Sequence, residues 1–331
     1  DPSLHYLLGV AAMAGKTEVT PAVQAHFDKA IELDPKFHQV WFALADAEEK
    51  AGHLDKAVAY YERKLATDAR SSASHSRLGG IYQNVGAYPL AAKHYDAAIA
   101  INVRERDAVL SRAVLAYQVE ANPARAVALL QSLLEAEGPE LRISERKTIG
   151  THLAAAQLLT GNAQGASDAA DAVIARDRIY GPAHFQKALA LVALGRPGDA
   201  VPEFTKAEDS GLEPRELSRV LFFQGWAAWE GKRLQEAAES FRRGRDTDPR
   251  YTPNWLWAAA VATRMGEGSV AAQALLDHIS TDPLEYARDR QLGEWWAPVP
   301  PPKPLVDAMT EALSTEAFAL AMNAALVIAL F

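Results

Sequence analysis

The chain has 331 residues, with 34 basic and 42 acidic side chains, a net charge of −8 and no cysteine. The lack of cysteine excludes disulfides, thiolate metal sites and haem attached through Cys, and an acidic balance without a dense Lys/Arg run argues against nucleic acid as a partner. At 49% hydrophobic and 23% charged residues, the composition suits a folded, soluble chain that forms two ordinary domains or one elongated repeat array. It opens on Asp1 and not Met, as it would after loss of a signal peptide or at a fragment boundary.

In chain order the sequence reads as about eight helical hairpins, beginning near Pro2, His38, Ser72, Asp107, Lys147, Gly181, Ser218 and Thr252. In each, two stretches with apolar residues at helical spacing flank a short turn that holds Gly52, Gly86, Gly161, Gly195, Gly231 or Gly266. The first hairpin has a longer turn, in which Thr20 can cap the second helix and Pro21 can occupy its first position. Pro35, Pro249 and Pro283 are placed to stop second helices, because proline cannot continue the hydrogen-bond ladder. Residues 137–146, with Gly138 and Pro139, and residues 211–215 are polar insertions expected to bend the stack locally or add a turn to a linker.

Beyond an array spanning 2–285, Trp295 and Trp296 lead into Pro298, Pro300, Pro301, Pro302 and Pro304, so 286–304 reads as an extended Pro-rich arm. Pro298, Pro301 and Lys303 formally fit a ligand for SH3 domains, but a stiff spacer is the plainer reading. Residues 305–331 read as a C-terminal helix, apolar all round from Ala317 to Phe331 except for Asn323. That last part is about 22 Å long, short of the roughly 30 Å of a bilayer's hydrocarbon core. It could fill the chain's own groove, bury against a partner or lie in a membrane, or begin a longer span.

Within the hairpins one set of residue types keeps its spacing. The second carries Trp41, Leu44, Gly52, Ala57 and Tyr61; the third Leu78, Gly79, Tyr82, Gly86, Ala91, Tyr95 and Ala98; the sixth Ala188, Leu191, Gly195, Ala200, Phe204 and Ala207. This resembles the tetratricopeptide repeat family, whose 34-residue unit has a large residue at position 4, Leu-Gly or Leu-Ala at 7 and 8, aromatics at 11 and 24, and Ala at 20 and 27. The resemblance implies an all-α fold, an α-solenoid whose hairpins stack into a right-handed superhelix, and a role in binding a polypeptide.

The family's concave face is lined by positions 2, 5, 6, 9, 12 and 13 of the first helices, which makes two sets of residues candidates for partner contact. Arg77, Asn84, Arg112 and Gln118 form a polar end, and Arg77 and Arg112, both read at position 6, are expected to meet an acidic or carboxylate group. Phe185, Phe222, Phe223, Trp226, Trp229 and Trp257 form an aromatic end suited to an apolar or amphipathic helix. The plainer reading of any one aromatic is that packing turns it into the core. The two-cation clamp with which some tetratricopeptide proteins hold a C-terminal carboxylate is not matched, since Phe42 and Asp46 stand where Lys and Asn would be.

Enzyme signatures are missing from the sequence. The nine histidines never fall at i, i+4, there is no HExxH or GxSxG, and Gly266-Glu267-Gly268 is a repeat turn and not a phosphate loop. The expected function is therefore a non-catalytic interaction scaffold or assembly adaptor with no cofactor, metal or small-molecule substrate. The alternative is a structural accessory subunit of a membrane complex, docked through the apolar tail. The compartment stays open.

Overall fold

The computed structural model describes residues 1–14, 19–137 and 140–267. The expected Pro-rich arm, the C-terminal helix, and Pro283 with the second helix of the eighth hairpin lie outside these residues. The chain divides between Glu140 and Leu141 into two compact units. The first holds four hairpins: α1 (Pro2–Met13) with α2 (Pro21–Leu33), α3 (Gln39–Lys50) with α4 (Leu54–Thr67), α5 (Ser72–Asn84) with α6 (Tyr88–Ile101), and α7 (Arg106–Gln118) with α8 (Pro123–Glu137). The second holds α9 (Ile143–Leu159) with α10 (Ala163–Ile174), α11 (Gly181–Ala193) with α12 (Pro197–Glu208), α13 (Pro214–Glu230) with α14 (Leu234–Thr247), and α15 (Thr252–Arg264). No strand occurs among the described residues.

Local chemistry fixes the ends of these helices. Thr20 Oγ1 accepts the Val23 N–H, and Ser71 Oγ accepts the Ser74 N–H, so each satisfies a donor that the first turn leaves free. At the other end, the carboxylates of Asp34, Asp68 and Asp248 each accept the N–H two residues on, and Pro35 and Pro249 then forbid further helix. Among the described residues, five hairpin turns place a glycine in the left-handed region, one of them Gly86 at φ 76°. There the Ala87 N–H donates back to the Tyr82 carbonyl at 2.8 Å and closes the helix end.

In the seventh hairpin the turn holds Gly231 as expected, and its left-handed residue is Lys232, with φ 58°. Two features differ from the sequence reading. In the fourth hairpin, Ala121 takes the left-handed conformation in a turn one residue longer than that of the third. The extra residue means that α7 runs one position ahead of a frame starting at Asp107, although α8 keeps it. The polar insertions, finally, are taken up partly as helix: α9 and α13 are each 17 residues long against 13 in α11, so residues 143–146 and 214–217 add a turn at their starts.

Packing follows the repeat. The alanines at position 20, such as Ala57, Ala91, Ala200 and Ala237, are wholly buried, as are the large residues at position 24 that they adjoin, including Tyr61, Phe204 and Phe241. Small residues at position 8 let the two helices of a hairpin approach. A Cβ added at Gly79 would lie 2.5 Å from the Tyr95 ring, whereas one added at Gly80 would meet only the Tyr95 hydroxyl, at 3.9 Å. Gly79→Ala is therefore expected to cost about 1–3 kcal/mol by overpacking. Gly80→Ala, one residue on, is expected to stabilise by about 0.5–1 kcal/mol through helix propensity. Urea denaturation followed by circular dichroism measures both, and shifts of the same sign would contradict this packing of α5 on α6.

Candidate functional site

The first helices of the hairpins carry the residues expected on the concave face, and in the first unit these are held from behind. Tyr61 on α4 donates its hydroxyl hydrogen to Glu49 Oε2 on α3 at 2.7 Å, and Tyr95 on α6 does the same to Gln83 Oε1 on α5 at 2.9 Å. Burial, with the hydrogen bond to Glu49, pushes the Tyr61 phenol far above its ordinary pKa, so it stays a donor. A tyrosine at position 24 thus orients the side chain at position 12 through the interface of its own hairpin. Arg77 on α5 reaches back to α3, with its guanidinium 3.7 Å from both Asp46 and Glu49 while its side chain stays half exposed. Asn84 and Gln118 are exposed on α5 and α7. Asp46, Glu49, Arg77, Gln83, Asn84 and Gln118 make a polar strip.

Arg112 is not part of that strip, which corrects the expectation that it pairs with Arg77. It is 2% exposed, its Nε donates to Asp96 Oδ1 at 2.9 Å and its Nη1 to Glu120 Oε2 at 2.9 Å. Arg125 Nη2 donates to the same Asp96 oxygen at 2.6 Å. The cause is the longer turn of the fourth hairpin, which moves Arg112 to position 7, where the third hairpin has buried Leu78, and puts half-buried Ser111 at position 6. Arg77 and Arg112 therefore do not present two adjacent cations to one carboxylate.

The aromatic set is corrected in the same way. Phe222 and Trp257 are each 1% exposed, and Phe185, Phe223 and Trp226 are buried in the same core cluster. Phe222 meets Phe223, Phe241 and Trp257 at ring separations of 5.0, 5.8 and 6.5 Å. Phe185 meets Phe223 at 5.5 Å. Neighbouring first helices lie side by side, and rings this large at positions 5 and 6 fill the seam between them instead of standing clear of it. Trp229 alone of the six is only partly buried, edge-on to Trp257 at 5.5 Å with the Arg264 guanidinium 5.3 Å from its ring.

A second constellation, not visible in ligand spacing along one helix, forms inside the hairpins between position 4 of the first helix and position 23 of the second. His5 and His26 meet there in the first hairpin, Trp41 and Tyr60 in the second, His75 and His94 in the third, and His184 and Glu203 in the sixth. The repeat frame held this signal, because position 23 is the residue just before the buried large residue at position 24.

Two models of the family described as tetratricopeptide repeat match residues 26–59 and 185–251, in the first and second units respectively. The chain carries tetratricopeptide repeats. Solved structures with the same fold include the pilus biogenesis factor PilW at a TM-score of 0.53, with 17% identity over 64% of this chain and 94% of that one. PilF of Pseudomonas aeruginosa matches at 0.51, with 16% identity over 65% of this chain and 93% of that one. The Cut9–Hcn1 tetramer structure of APC/C matches at 0.57, with 13% identity over 88% and 52%. No curated protein sequence matches the chain. Tetratricopeptide proteins mediate protein–protein interaction and assembly on extended concave surfaces, generally without catalysis. No described helix of this array is long and apolar enough to cross a membrane.

Proposed function

We propose that this chain is a non-catalytic assembly scaffold that binds a polypeptide along the first-helix face of its first unit. The observation that carries the reading is the held polar strip: Glu49 and Gln83 are fixed by buried tyrosines, and Arg77 spans α3 and α5. Side chains oriented before a partner arrives lose little further freedom on binding, which is where much of the cost of association lies. Gly80, open on the side a Cβ would occupy, gives a partner's backbone room between Arg77 and Asn84. With two carboxylates to one guanidinium, the strip suits a segment that carries charges of both signs. An apolar or amphipathic helix is the narrower form of the reading, and its foothold in the second unit is Trp229.

The test compares capture of the same partner by the chain and by its Arg77→Ala, Asn84→Ala, Gln118→Ala triple variant, with Lys29→Ala on α2 as control. The triple variant is expected to bind at least about tenfold more weakly. Equal capture by the triple variant would overturn the assignment.

A further inference from the structure

We propose that the first unit holds two transition-metal sites, His5 with His26 and His75 with His94, each chelating a divalent ion that favours imidazole, such as Zn(II) or Ni(II), through facing Nδ1 atoms. The two Nδ1 atoms lie 3.3 Å apart in the first pair and 3.0 Å apart in the second. Two nitrogens bound to one tetrahedral ion at about 2.0–2.1 Å stand about 3.3 Å from each other, so neither pair needs more than a small ring rotation to close on a metal. The Nδ1 atoms are closer than the ring centroids, which stand 5.6 and 5.2 Å apart at tilts of 39° and 40°, so the Nδ1 edges face one another in both hairpins.

The other occupants of this niche show why these two pairs stand apart. Trp41 and Tyr60 stack and offer no ligand. His184 is already committed, with Nε2 at 2.9 Å from the Arg178 carbonyl and Nδ1 at 2.6 Å from Glu203, itself paired with Lys206. In the first and third hairpins both partners are imidazoles, and all four rings are half-buried, within reach of an ion from solvent. Without an ion, one ring donates its Nδ1–H to the other. Binding moves that proton to Nε2 of the donor ring, and both Nδ1 lone pairs then face the metal, with no net release of protons. Among the described residues no third His or carboxylate joins either pair, which leaves the remaining positions to water.

The experiment titrates the full chain with Ni(II) or Zn(II) by calorimetry. It is expected to give two sites, one removed by His75→Ala or His94→Gln and the other by His5→Ala or His26→Gln. Loss of one imidazole of a chelate should weaken binding by about a hundredfold, while His53→Ala, at an exposed histidine beside Glu48, should leave both sites. Gln at either second-helix position keeps a hydrogen-bonding group and guards against misfolding, which circular dichroism checks. In nitrogen NMR the four Nδ1 atoms should move together toward metal-bound shifts. No binding up to about 1 mM ion, or binding that none of the four substitutions changes, would overturn the proposal.

Discussion

Arg112→Ala is expected to destabilise the chain by about 2–5 kcal/mol, while Arg112→Met is expected to stay within about 1 kcal/mol of the parent. The guanidinium is buried in the position that Leu78 fills one hairpin earlier, and it compensates Asp96 and Glu120 from inside. Truncation leaves a cavity in that leucine-like position. Arg125 still pairs with Asp96, which sets the loss toward the lower end of the range. Methionine refills the leucine-like site, and Asp96 and Glu120, both partly exposed, can turn to water. Urea denaturation of the three proteins gives the comparison. If Arg112→Ala keeps full stability and loses partner binding instead, the side chain faces the groove and α7 keeps the frame that starts at Asp107.

Trp257→Ala and Phe222→Ala should each cost about 3–5 kcal/mol, because each removes a large side chain from a fully enclosed site that cannot collapse around its neighbours. Trp257 is held between Phe222, Trp229 and Phe241, and Phe222 joins the rings of α13 and α14 to Tyr251. Trp229→Ala should cost clearly less, since that ring keeps part of its face in water. Thermal and urea unfolding measure these losses. Full stability in the Phe222 and Trp257 variants, with loss of partner binding, would restore them to the groove.

The fold was legible because its signals are redundant. Small residues at positions 8 and 20, large ones at 24 and a turn residue near 15 repeat often enough that one irregular hairpin does not hide the frame. The site was less legible, because it hangs on single positions. One added residue in the turn of the fourth hairpin, closed by Ala121 in a left-handed conformation without glycine, was enough to move Arg112 from the groove face into the core. Periodicity also names the face a residue starts from and not where a large ring ends. Phe222 and Trp257 begin at concave positions and are drawn sideways into the seam by their own size, whereas Arg77 and Asn84, polar at equivalent places, stay at the surface. The histidine pairs escaped a search for ligands four residues apart on one helix because their partners sit on the other helix of the hairpin.

The most direct test of the binding face is site-specific photocrosslinking of the full chain to its captured partner. A photoreactive residue at Asn84 or Gln118, on the first helices, is expected to attach the partner, and one at Lys29 or Lys93, exposed on the second helices α2 and α6, is expected not to. Crosslinks that form at Lys29 or Lys93 and fail at Asn84 and Gln118 would contradict the account.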